Sequence, residues 1–234
     1  MASVLSRTFF NRPALRVAQE LLGKYLVREW RGKEVRSMIT EVEAYVGPHD
    51  LACHASRGLT PRTRVMFGPP GHWYVYFTYG IHWMLNIVTC REGYPAAVLI
   101  RGTESVTGPA RLTKFFKIDK QLNGQSASLA SGLWIEKGSE PMKRHLIRRS
   151  KRVGVDYAGP VWSNKLYRFE LVGIKKRQVR IVKGEQIYLS KHRIGVFLKP
   201  SSQVANCQKH VAEGSPNEYP NFPIGLKRHQ SEGR

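Results

Sequence analysis

The sequence is compatible with one α+β domain, on three observations. With 234 residues and 41% hydrophobic content, the chain can bury a substantial core, yet it is large for one domain and small for two. An amphipathic helical stretch near the start is followed by runs of strand formers set in pairs around tight-turn sequences, the pattern of antiparallel neighbours. No internal repeat and no Rossmann-type glycine motif points to another architecture. The pattern is compatible with the α+β class without fixing how the sheet is arranged.

Taken in order, Met1 to Arg7 is followed by Phe9-Phe10-Asn11-Arg12-Pro13 with no long apolar run. No signal sequence is expected, and no stretch approaches the ~20 apolar residues that cross a bilayer, so the expectation is a soluble, intracellular protein without a membrane partner. Asn11 reads as an N-cap and Pro13 suits a first helical turn; Leu15, Val17, Ala18, Leu21 and Leu22 form an apolar face that stops at Gly23. Lys24 to Trp30 and Val35 to Tyr45 read as two strands around Arg31-Gly32-Lys33. Residues two apart on a strand share a face, so Glu43 and Tyr45 point into one space near a strand end.

His49 to Gly71 reads as a long ordered loop carrying Arg57, Arg62 and Arg64, and loops longer than about 12–15 residues are uncommon unless they are functional or disordered. Its arginines are candidates for phosphate contact. Trp73 to Phe77 and His82 to Val88 are strands joined at Thr78-Tyr79-Gly80-Ile81, a hairpin with Tyr79 at its tip. Alternation puts Tyr74 and Tyr76 on one face and Trp73, Val75 and Phe77 on the other, toward the core. Ala96 to Arg101 reads as a strand whose terminal arginine requires an acidic partner, for which Glu43 is the candidate. A helix follows Gly108-Pro109 through Phe116, then a polar stretch from Lys120 to Ser131 that reads as loop or helix end. Lys143 to Arg152 is a dense basic cluster suited to phosphate contact. Ile174 onward suggests a final strand or two, and the composition from Lys199 reads as a disordered basic tail, which places the domain at 1–198 and the tail at 199–234.

Charge is the strongest compositional signal. The 38 Lys and Arg against 17 Asp and Glu give a formal +21 and a pI of about 10.3, so polyanions are the natural partners and binding is expected to be salt-dependent. Cys53, Cys90 and Cys207 form no CxxC pair and are odd in number, which argues against a disulfide framework and for a reducing compartment. Cys53 and His54 are adjacent, but neighbouring side chains on an extended segment diverge and no second pair has zinc spacing, so no metal site is expected.

A flat ring on a hairpin tip in so basic a protein can enter a nucleic-acid stack and fill the gap left by a displaced base. The space behind it would then need rings to sandwich that base. Tyr45 and Tyr76 can supply them, with His54 for the base edge and Glu43 to activate a water.

At these residues the resemblance is specific. Glu43-Ala44-Tyr45, Gly47-Pro48, Asp50, His54, Thr60-Pro61-Arg62, Met66-Phe67, Pro70-Gly71, Tyr74-Val75-Tyr76, Tyr79-Gly80, Asn86-Ile87, Arg101, Gly108-Pro109 and Arg152-Val153-Gly154-Val155 together resemble the alkyladenine (3-methyladenine) DNA glycosylase family, over roughly Thr8 to Gly173. The resemblance implies a curved, mainly antiparallel sheet with peripheral helices and a protruding hairpin that intercalates in DNA. It implies that Glu43 is the general base, that Arg101 and the backbone of Val153 help hold the water, and that Tyr45 and Tyr76 stack on the flipped base. His54 would contact the base edge, Asn86 would crowd bases with an exocyclic amino group, and Tyr79 would intercalate.

The expected activity is excision of alkylated or deaminated purines, 3-methyladenine and hypoxanthine among them, from double-stranded DNA by a monomer without a cofactor. No pocket position supplies a lysine for a lyase step, so a monofunctional enzyme is expected. A zinc nucleobase deaminase would need H-x-E and P-C-x-x-C, which the sequence lacks. A non-catalytic nucleic-acid-binding protein could use the same hairpin and basic surface but has no need of Glu43 facing Tyr45.

Overall fold

The computed structural model describes residues 3–138, 144–174, 179–182 and 185–188, the last two segments by backbone alone. Two short helices open the chain, α1 (Arg7–Phe10) and α2 (Ala14–Leu21). Then come β1 (Tyr25–Trp30), β2 (Lys33–Tyr45), β3 (Trp73–Thr78), β4 (His82–Thr89), β5 (Ala96–Thr103), α3 (Pro109–Phe115) and β6 (Leu133–Glu136). The remaining elements are β7 (Ile147–Ser150), α4 (Gly159–Ser163), β8 (Arg168–Leu171), β9 (Val179–Val182) and β10 (Glu185–Tyr188). Short 3₁₀ turns at His54–Arg57 and Arg64–Phe67 order the long loop between β2 and β3.

The expected α+β class with an antiparallel sheet is what the chain forms. The strand order is β3-β4-β5-β2-β1-β6, with β8 pairing both β2 and β7, and all these pairs are antiparallel. β2 is the axis of this arrangement. Its first half pairs with β1, while its second half runs between β5 and β8, with Glu43 opposite Leu99 on one side and Arg168 on the other. The β2–β5 register shifts on both sides of Glu41, and such a bulge bends a strand and increases its twist.

The core lies where α2 and α3 pack on this sheet. Val17, Ala18 and Leu21 of α2 and Leu112 and Phe115 of α3 join Ile39, Val42, Leu85, Ile87, Val98 and Ile100 in one cluster. Complete burial of side chains of this size contributes about 1.5–3 kcal/mol each. Trp73 is also fully buried, and its indole N–H donates to the Leu133 carbonyl at 3.1 Å, so the ring packs without a lost hydrogen bond.

Two local expectations are corrected. Helix α2 begins at Ala14, after an extended Pro13 (ψ 134°), and Asn11 is instead the C-cap of α1, its N–H donating to the Arg7 carbonyl. The proline accounts for this, because a residue before proline is pushed out of helical geometry and Arg12 cannot begin the helix. Phe77 is 45% exposed, since β3 has by then run beyond the core, and it packs on Trp83 with ring centroids 4.6 Å apart. The polar loop Lys120 to Ser131 contains two 3₁₀ turns.

Beyond Gly173, β9 and β10 form an antiparallel pair, the expected final strands. The proposed boundary at 198 and the tail from 199 to 234 lie outside the described residues, as does Cys207.

Candidate active site

The bulged half of β2 carries Glu41, Glu43 and Tyr45. Glu43 and Tyr45 share a face as the alternation requires, and the Tyr45 hydroxyl donates to Glu43 Oε2 at 2.9 Å. Glu43 is fully buried, which a solvated strand glutamate would not be. Its other oxygen, Oε1, accepts the backbone N–H of Val153 at 2.8 Å and lies 3.3 Å from Arg101 Nη1. Burial pushes the Glu43 carboxyl above its ordinary value of 4.5, and Arg101, the Val153 N–H and Tyr45 oppose that shift without cancelling it.

Arg101 has a closer partner than the one the sequence suggested. Its Nε donates to Glu41 Oε1 at 2.9 Å. That oxygen also accepts from Arg168 Nε on β8 at 2.8 Å. Burial works against the Arg101 charge, but Glu43 and Glu41 outweigh it and its pKa is raised. Glu41 went unnoticed in the sequence because strict alternation makes it a mere strand carboxylate on the Glu43 face; the bulge and the late strand β8 give it two arginines.

The other anchor is Arg152, whose burial in an ion pair takes it out of the expected phosphate contacts. Arg152 and Asp50 have completely buried side chains. Their oxygens and guanidinium pair bidentately, Nη2 to Oδ1 at 2.8 Å and Nη1 to Oδ2. Arg152 also donates to the carbonyls of Ala44 (3.0 Å) and Trp162 (3.3 Å). Asp50 in turn accepts the backbone N–H groups of Val46 and Ala52. The pair therefore fixes the chain just after Tyr45 and, because Arg152 precedes Val153, the N–H that meets Glu43. Elsewhere in the basic cluster Arg148 pairs with Glu170 at 2.8 Å and Arg149 lies over the Phe169 ring; Lys143 lies outside the described residues.

Aromatic walls complete the site. Tyr74 and Tyr76 of β3 face the same side with ring centroids 5.2 Å apart. His54 stands edge-on to Tyr76 at 4.7 Å, with Nδ1 3.0 Å from the Tyr74 hydroxyl. Burial, with Arg62 and Arg57 adding to it, pushes the His54 pKa down to about 4, so the ring is neutral at pH 7. Asn86, opposite Tyr74 on β4, is buried, and its Nδ2 donates to the Tyr74 carbonyl at 3.1 Å.

These groups surround a cavity of about 290 Å³ lined by Tyr45, His54, Tyr76, Tyr79, Asn86, Arg101 and Val153, among others. That is close to the lower end of small-molecule pockets, about 300 Å³. Every predicted site residue except Glu43 lines it. Glu43 lies behind the wall, bonded to Tyr45, Arg101 and Val153. The sequence missed Tyr157, a lining residue 66% exposed whose hydroxyl donates to the Ala52 carbonyl at 3.0 Å. Cys53 also lines the cavity, but burial pushes its thiol up to about 11 and it stays protonated.

Tyr79 is 85% exposed at the β3–β4 turn. The turn closes through the Ile81 N–H on the Thr78 carbonyl at 3.1 Å, with positive φ at both Tyr79 (51°) and Gly80 (67°). A non-glycine residue in this region is disfavoured, so the tyrosine is held in a conformation its type does not prefer. Among the described residues no helix is long and apolar enough to cross a membrane, and no three or more His, Cys, Asp or Glu side chains are grouped to hold a metal.

The profile of the methylpurine-DNA glycosylase family matches residues 8–108 and 103–175. The chain belongs to the methylpurine-DNA glycosylase family. A protein of Methanocella arvoryzae, provisionally named a 3-methyladenine DNA glycosylase, is 44% identical over 176 residues, which cover 67% of this chain and 86% of the relative. Relatives under the same provisional name from Legionella pneumophila (45% over 172 residues, 70% of this chain and 92% of theirs) and Myxococcus xanthus (44% over 173 residues, 70% and 88%) are similar. The glycosylase match holds all of the cavity residues named above and ends at residue 175.

Proposed function

We propose that this glycosylase draws a damaged purine out of duplex DNA into the cavity and hydrolyses its N-glycosidic bond, with Glu43 as the base that activates water. One observation carries the reading: a buried carboxylate, held by a guanidinium, a backbone N–H and a tyrosine, lies directly behind an aromatic cavity large enough for a small ring system. Each carboxylate oxygen can accept two hydrogen bonds. Among the described residues Oε2 accepts only from Tyr45, so it is the oxygen assigned to water once a base enters beside Tyr45. Attack at C1′ of the deoxyribose then expels the base, which needs no protonation when alkylation has already made it cationic. No lysine lines the cavity, which supports hydrolysis without a lyase step. Tyr45 and Tyr76 are the stacking walls, His54 meets the base edge and Asn86 crowds an exocyclic amino group. The test is release of 3-methyladenine and hypoxanthine from lesion-bearing duplexes by the purified protein; no release of either refutes the reading.

Burial raises the Glu43 pKa, and the base must be ionised to work. On a cationic lesion, which needs no acid, the rate is expected to rise with pH along a limb whose midpoint lies above 4.5. A pH–rate profile under single turnover checks this, and Glu43→Gln should abolish the limb.

Tyr79 is proposed to occupy the gap left by the extruded nucleotide. Unstacking a base step costs a few kcal/mol, and the inserted ring offsets part of that cost. Tyr79→Ala is expected to weaken the flipped state by about 1–3 kcal/mol, read as loss of fluorescence from 2-aminopurine beside the lesion. Unchanged fluorescence would make the hairpin tip purely structural. The formal charge of +21 supplies the non-specific, salt-dependent share of DNA binding.

A further inference from the structure

Both rings proposed to hold the base carry a guanidinium. Arg152 lies 4.9 Å from the centroid of the Tyr45 ring and Arg62 lies 4.8 Å from that of Tyr76. The two cations differ in how their charge is met. Arg152 is buried and neutralised by Asp50. Arg62 is exposed on the loop ahead of β3, and among the described residues no carboxylate stands within ion-pair distance of it. Its field is felt nearby, since Arg62 helps keep His54 neutral.

Tyr76 lines the cavity and Arg62, outside the lining, rests 4.8 Å from its centroid, so a bound base and the guanidinium share one ring. A cation over a tyrosine uses the negative π density that attracts a second cation, and two like charges brought to one ring repel. A purine alkylated at a ring nitrogen in DNA carries a positive charge, whereas hypoxanthine does not. Glu43 would favour the cationic base, but its Oε1 is already taken up by Arg101 and the Val153 N–H.

We infer that Arg62, resting on Tyr76, is a specificity-determining residue that weakens the cavity's hold on cationic purines relative to neutral ones and so brings the two classes within reach of one enzyme. This rests on the base-excision reading above.

The test compares wild type, Arg62→Gln and Arg62→Lys on two duplexes of one sequence, one bearing 7-methylguanine and the other hypoxanthine. Arg62 is exposed, so both variants are expected to fold. Arg62→Gln should raise the cationic-to-neutral ratio of single-turnover rates by about three- to tenfold. Arg62→Lys, which keeps the charge, should stay within about twofold of wild type. An equal change on both lesions, or a fall in the ratio, would overturn the inference; Arg62 would then be a phosphate contact, and the slope of log affinity against log salt would drop by about one in Arg62→Gln. Affinities for the same lesions on a 2′-fluoro sugar, whose electronegative fluorine resists glycosidic cleavage, give the ratio without turnover. If wild type releases neither base, the base-excision reading fails, and the affinity ratio still decides for or against Arg62.

Discussion

Glu43→Gln is expected to cut single-turnover base release by about 10²- to 10⁴-fold while leaving lesion binding near wild type. The substitution keeps the shape and one accepting oxygen but removes the charge and the basic lone pairs. The three groups that bond Glu43, the Tyr45 hydroxyl, the Val153 N–H and Arg101, are all donors as arranged here. A glutamine carbonyl in the place of Oε1 can accept from the Val153 N–H and Arg101, and its amide in the place of Oε2 can donate to the Tyr45 hydroxyl, which turns to accept. On the proposed reading, binding depends chiefly on the aromatic rings and the phosphate backbone, and the change reaches these only at the Tyr45 hydroxyl. A rate within about threefold of wild type would remove Glu43 from the chemistry, since general-base contributions are far larger.

The second large effect is on stability. Asp50→Ala is expected to destabilise the fold by about 3–5 kcal/mol, because it strands the Arg152 guanidinium in a site with no access to water. It also frees the Val46 and Ala52 N–H groups that Asp50 accepts. The loss should appear as a fall in the urea midpoint with little change in slope. A cost below about 1 kcal/mol would mean that solvent reaches Arg152 and that the pair does not anchor the loop. Replacing both partners with apolar residues of similar volume should cost less than Asp50→Ala alone, since the penalty comes from an unpaired charge.

Much of this site could be read from the chain because short-range rules govern it. Period-two alternation places Glu43 beside Tyr45 and Tyr74 beside Tyr76, and the turn at Tyr79-Gly80 follows from residue type. What the sequence withheld was the long-range pairing of charge. Arg152 looked like one more cation in a basic run, and nothing within ten residues of it reveals that Asp50 lies opposite. Glu41 looked like an ordinary strand acid, because the bulge that reorients this part of β2 depends on how β5 aligns. Phe77 was misplaced for a related reason: alternation gives the face of a strand but not the point at which the strand leaves the core. The helix start failed locally, where the restriction imposed by Pro13 outweighed the capping tendency of Asn11.

The partners of the buried carboxylates are distant in sequence. Glu43 meets Val153 across 110 residues, Asp50 meets Arg152 across 102 and Glu41 meets Arg168 across 127. During synthesis, β2 and the loop after it leave the ribosome with three acids whose cations, Arg101, Arg152 and Arg168, have not yet been made. Burying them at that stage would carry the full desolvation cost without compensation. The proposed active centre can therefore close only after more than a hundred further residues have emerged, and long loop closures of this kind are slow steps. A chain interrupted before Arg152 contains the sequences of α1 to α3 and of the hairpin, but it lacks the guanidinium that meets Asp50 and the Val153 N–H that meets Glu43. On the proposed reading, such a fragment is expected to release no base.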